Sequence, residues 1–110
     1  MDISERTENG VTVFVLKGRI DTEGSVDMDR ALQAAVSQGQ HNMVLDMSDA
    51  QYICSAGLRT LADVLTQNKR AGGDLKLAAL NSKVLRILRI IGFDKFFSIY
   101  ETAEAAIINF

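Results

Sequence analysis

Three short apolar runs, Val11-Thr12-Val13-Phe14-Val15-Leu16, Met43-Val44-Leu45 and Leu75-Lys76-Leu77-Ala78-Ala79-Leu80, each precede a segment whose apolar residues recur at helical spacing. This alternation restricts the chain more than any other feature. Buried strands separated by amphipathic helices pair in parallel through right-handed crossovers, which is the logic of an α/β sheet. The first helix is expected from Gly24 to Gln38, with Met28, Ala31, Leu32, Ala35 and Val36 on one face and Gly39 as its stop. In the second, Leu58, Leu61, Ala62 and Leu65 share a face, Lys69-Arg70 fall in the last turn, and Gly72-Gly73 lie beyond it. Asn81 or Ser82 caps a third helix with Val84, Leu85, Leu88 and Ile91 on one face, ending at Gly92, while Lys83, Arg86 and Arg89 point outward.

The ends of the chain complete the pattern. Residues 3–8 and 11–17 read as a hairpin, with Asn9-Gly10 as its turn. The strand from His41 to Met47 is expected to stop in Asp46-Met47-Ser48-Asp49, a cluster of turn formers. Phe96 to Tyr100 reads as a last strand and Thr102 to Phe110 as a short closing helix. The order is β-β-α-β-α-β-α-β-α, a mostly parallel sheet with an antiparallel first strand. The 110 residues contain no proline and no repeat, so one domain is expected to span 1–110.

Composition removes several classes of function. A net charge of -2 offers no excess of cations to neutralise a nucleic-acid backbone. The apolar runs fall far short of the ~20 residues that cross a bilayer, and Met1-Asp2-Ile3-Ser4-Glu5 lacks the order of a secretory signal, so a cytoplasmic protein with no direct membrane insertion is expected. One cysteine and one histidine supply neither an intrachain disulfide nor a metal cluster, and no cofactor motif is present.

Working residues of open α/β sheets lie just beyond the carboxyl ends of parallel strands. Two segments qualify: Gly18-Arg19-Ile20-Asp21-Thr22 and Asp46 through Gly57. If their strands are neighbours, Asp21, Thr22 and Ser55 share one rim. Ser55 lies at or just before the start of the second helix, where its hydroxyl either caps free N–H groups or is presented to another protein. Ala56 and Gly57 leave it uncovered, and a phosphate there would meet the positive end of the helix dipole. Cys54 reads either as a reactive thiol or as a small filler. His41 opens the strand whose far end leads to Cys54, so the two are separated by roughly six residues at ~3.3 Å each and form no catalytic dyad. Ile-Cys-Ser-Ala-Gly is not the Gly-x-Ser-x-Gly elbow of hydrolases, and no nucleotide loop is present. Arg59, four residues after Ser55, either contacts a phosphate or partner carboxylate or is simply solvated. The basic stripe Lys83, Arg86, Arg89 reads as a wetted face rather than a docking site.

Gly18-Arg19-Ile20-Asp21, Val44-Leu45-Asp46-Met47-Ser48, Tyr52-Ile53-Cys54-Ser55-Ala56-Gly57-Leu58, Gly72-Gly73-Asp74-Leu75-Lys76-Leu77 and Gly92-Phe93-Asp94-Lys95-Phe96-Phe97 appear in this order. Together they resemble the STAS domain of bacterial anti-sigma factor antagonists over nearly the whole chain. The resemblance implies a partner switch without enzymatic activity of its own. The unmodified protein would bind an anti-sigma factor that is also a serine kinase of the histidine-kinase-like ATPase fold. Phosphorylation of the serine in an Asp-Ser-Ser/Thr-Gly-Leu motif would break that complex, and a PPM-type serine phosphatase would restore it. On this chain the acceptor falls on Ser55 and the glycine on Gly57; Cys54 replaces the acidic residue and Ala56 the second hydroxyl. The implied partner surface is Asp21, Thr22, Cys54, Ser55, Ala56, Gly57 and Arg59. An alternative within the same resemblance is a cytoplasmic accessory subunit of a lipid or anion transporter, in which Ser55 is not phosphorylated.

Overall fold

A computed structural model describes residues 1–110. Strands β1 (Asp2–Glu8) and β2 (Val11–Ile20) pair antiparallel around Asn9 and Gly10, whose φ angles of 52° and 76° are the left-handed pair that a two-residue hairpin turn requires. β3 (Asn42–Ile53), β4 (Asp74–Ala78) and β5 (Ile99–Tyr100) follow in parallel, and the sheet order is simply β1-β2-β3-β4-β5. The crossovers are helices α1 (Thr22–Ser37), α2 (Ser55–Arg70) and α3 (Ser82–Ile90); α4 (Ala103–Ile108) closes the chain. The expected α/β class and strand directions are those observed.

Period-two alternation divides the sheet into two faces. Phe14, Leu16, Met43, Leu45, Met47, Leu75 and Leu77 form one core with Met28 and Leu32 of α1, Leu61 and Val64 of α2, and Val84 and Leu88 of α3. Each such side chain, fully buried, contributes roughly 1.5–3 kcal/mol, so this face dominates stability. On the opposite face a smaller cluster joins Val11, Val13, Val44 and Ala78 to Ala103, Ala106 and Ile107 of α4.

Several boundaries differ from the sequence-based expectation. The largest difference is in β3, which does not stop at the turn formers but runs on to Ile53. Val15 pairs with Asp46 and Lys17 with Asp49; then Gly18 pairs with Ala50 and Arg19 with Tyr52. At each of these two steps β3 spends one residue more than β2, so the polar residues are taken up as bulges. Asp46 accepts a hydrogen bond from the Ser48 backbone N–H at 3.1 Å, a local bond usually found in turns. Met47, Ala50 and Ile53 stay buried and hold the strand to the core.

The remaining differences are at termini. α1 begins at Thr22 rather than Gly24 because Asp21 caps it, its Oδ1 accepting the Gly24 N–H at 2.8 Å. Only Ile99 and Tyr100 of the expected last strand are extended; Phe93–Lys95 form a 3-10 turn, after Gly92 takes a left-handed φ of 79°. β4 ends at Ala78, and α4 occupies Ala103–Ile108 with Thr102 as its cap.

Candidate functional site

The two bulges fix what meets at the carboxyl rim of the sheet. Ile20 and Ile53 are register partners at the ends of β2 and β3, and both point into the core. The next residues, Asp21-Thr22 and Cys54-Ser55, therefore leave the sheet side by side. The Cys54 N–H donates to the Ile20 carbonyl at 2.8 Å, which ties the two exits together. Asp21, Thr22, Ser55, Ala56 and Arg59 are exposed, Cys54 is half-buried and Gly57 is buried.

Ser55 is not the cap of α2. It is the first helical residue, and the cap position falls to Cys54, whose side chain makes no capping bond. Capping the helix is thus not what the hydroxyl does here. The first turn of α2 contains no acidic residue either, so its N–H groups face outward without a side-chain acceptor beside the serine. An anion attached to Ser55 would meet those donors and the helix dipole.

Gly57 has a different reason from the one its small size suggests. A β-carbon there would lie 2.8 Å from Ile53 Cγ1 and 2.9 Å from Ile20 Cγ2. The glycine lets the start of α2 settle directly onto the two strand-end isoleucines, and so fixes the height at which Ser55 stands. Arg59 lies one turn further along the exposed side of α2. His41 lies at the opposite end of β3, its Nδ1 3.4 Å from Asn68 Oδ1, remote from the rim.

A pair outside the expected set belongs to the same edge. Arg19 and Tyr52 are register partners, and the guanidinium carbon stands 4.5 Å from the tyrosine ring centroid. Both are exposed and alternate with buried Ile20 and Ile53, so they lie on the opposite side of the sheet from α1 and α2. That alternation was the signal available in the sequence. Asn81 also reaches this rim, donating from Nδ2 to the Ala50 carbonyl at 2.8 Å while capping α3 through Oδ1.

The STAS domain family matches residues 2–106. The chain belongs to the STAS domain family. BtrV of Bordetella bronchiseptica, a proposed anti-sigma factor antagonist, is 32% identical over 98 residues, covering 89% of this chain and 84% of that protein. The solved structure of an anti-sigma factor antagonist from Mycobacterium paratuberculosis superimposes with a TM-score of 0.89 at 25% identity, over 98% of this chain and 92% of that one. The Bacillus cell fate determinant SpoIIAA in its phosphorylated form shares the fold, with a TM-score of 0.78 at 14% identity over 98% of each chain. No helix of this STAS domain is long and apolar enough to cross a membrane.

Proposed function

We propose that this STAS domain is an anti-sigma factor antagonist whose docking is switched by phosphorylation of Ser55. The observation that carries the proposal is the exposed Ser55 at the first position of α2, relieved of capping duty and flanked by the Asp21-Thr22 exit of β2. In this reading the unmodified rim of Asp21, Thr22, Cys54, Ser55, Ala56, Gly57 and Arg59 seats an anti-sigma factor that is also a serine kinase of the histidine-kinase-like ATPase fold. The partner brings the nucleotide and metal; this chain supplies the acceptor hydroxyl. A PPM-type phosphatase reverses the modification.

The switch is electrostatic. A phosphate carries close to two negative charges, and an interface shaped around a neutral hydroxyl must desolvate or repel them. A penalty of ~3 kcal/mol weakens binding about a hundredfold, enough to exchange one partner for another. The uncapped N–H groups of α2 let the free phosphoprotein hold the same charge without unfolding.

Calorimetry against the cognate kinase tests this. Ser55→Ala is expected to bind like the native protein and to resist release by ATP, whereas Ser55→Asp binds about a hundredfold more weakly. Equal affinities for the two variants would remove the proposal. Mass spectrometry of protein from its own cells should find phosphate on Ser55. Co-purification with a transporter and no phosphate would favour the accessory-subunit reading instead.

A further inference from the structure

We infer that the C-terminal end of α3 and the 3-10 turn after it form a second interaction surface, one that docks onto an anionic lipid bilayer. Three of the large apolar side chains that the chain leaves in solvent are gathered there: Ile90 at 72% exposure, Ile91 at 44% and Phe96 at 66%. The same stretch, residues 83–96, carries Lys83, Arg86, Arg89 and Lys95, all exposed, with Asp94 its one acidic residue. Four of the chain's 12 Lys and Arg residues thus lie in this short stretch, against one of its 14 Asp and Glu residues, in a protein whose overall charge is -2. Lys83, Arg86 and Ile90 follow i, i+3, i+7 spacing, so the stripe that its charge alone marks as a wetted face runs down the side of the helix that ends in the exposed isoleucine, and this inference departs from that expectation.

Shape decides the kind of occupant. Leu88 and Val84 point inward to the core, and Phe93 packs at a tilt against Phe97 with ring centroids 5.9 Å apart, so the inner side of the segment is already filled. The outer side is exposed. The chain's one cavity, about 240 Å³, is lined by Glu8, Asn9, Glu104, Ile107 and Ile108 and takes no part in this surface. With no groove to receive a partner's side chains, the apolar residues must themselves insert into what they meet. A deformable layer with negative charge at its surface and hydrocarbon a few ångströms below accepts Ile90 and Phe96, with Ile91 at their margin, while its headgroups pair with Arg86, Arg89 and Lys95.

The surface is also separate from the Ser55 rim. α3 starts at that rim, where Asn81 bonds Ala50, and its nine residues carry the tip roughly 13 Å away. A bilayer held at the tip leaves Ser55 open, so this inference does not depend on the switch proposed above.

The test is co-sedimentation of the full chain with vesicles of phosphatidylcholine alone or with about a third phosphatidylglycerol. Binding is expected to the anionic vesicles at low salt and not to the neutral ones, and to weaken as salt is raised. The double variant Arg86→Glu, Arg89→Glu should lose at least thirtyfold in partitioning. Ile90→Ser with Phe96→Ser should lose binding as well, and circular dichroism should show both proteins folded, since all four positions are exposed. No association with anionic vesicles, equal association with neutral ones, or indifference to either double variant would overturn the inference. So would a result in which these variants weaken only binding to a soluble acidic protein.

Discussion

At the scale of single residues, Ser55 and Gly57 stand two positions apart and are under opposite constraints. Ser55 is exposed and first in its helix, so Ser55→Ala is expected to move the unfolding free energy by no more than about 0.5 kcal/mol. Gly57→Ala gains up to about 1 kcal/mol of helix propensity but forces a methyl against Ile53 and Ile20 at 2.8 and 2.9 Å. Those isoleucines are packed in the core, and overpacking there costs about 1–3 kcal/mol, so the clash wins. Urea denaturation should show Gly57→Ala less stable by roughly 1 kcal/mol and Ser55→Ala unchanged. A Gly57→Ala protein at least as stable as the native one would mean that α2 can lift off the strand ends without cost. From sequence, Gly57 is expected only to leave Ser55 uncovered; its close approach to Ile20, far away in the chain, is legible only in the fold.

At the scale of elements, the same rim shows why some of the sequence was legible and some was not. α2 was readable because Leu61 and Leu65 repeat on one face and Lys69-Arg70 close the last turn. The end of β3 was not, because Asp46, Ser48 and Asp49 look alike whether they make a turn or sit in bulges; only pairing with β2 distinguishes the two. Cap positions hinge on a single residue: of the two places open to Ser55, at or just before the helix start, it takes the first, and Cys54 is left as the cap. Cys54 caps with no side-chain acceptor, so Cys54→Asp supplies a carboxylate to the free N–H groups and a negative charge to the helix N-terminus. The variant should be more stable by about 1 kcal/mol, read as a higher urea midpoint at unchanged slope. Asn81→Ala makes the contrasting case. It removes the cap of α3 and the tie to Ala50 together, and is expected to cost about 2 kcal/mol. A cost below about 0.5 kcal/mol would show that solvent replaces both bonds.

At the scale of the whole molecule, the two faces of the sheet are secured in different ways. Three crossover helices cover one face, and that arrangement followed from the order of strands and helices. The other depends on a six-residue helix of mostly Ala and Ile, too short to show a face in sequence, and on a lysine inside an apolar strand. Lys76 is only 5% exposed; its Nζ donates to the Asn109 backbone carbonyl at 2.6 Å and lies 4.1 Å from the centroid of the Phe110 ring. The contact joins residues 33 apart, so no local pattern announces it. Physically it is a latch: the lysine stem fills the space beside Ala78 and Tyr100, and its charge holds the end of α4 over Val11, Val13 and Val44. Lys76→Ala removes the charge-assisted bond and the stem at once, and should cost about 2–3 kcal/mol. The loss should be uneven. Amide hydrogens of residues 103–110 and of the nearby ends of β2 and β3 should exchange faster, while those of α1 and α2, anchored in the other core, keep their relative order of protection. Uniform acceleration through every element would show instead that the two faces open together, and that the latch stabilises the fold as one cooperative unit rather than holding α4 alone.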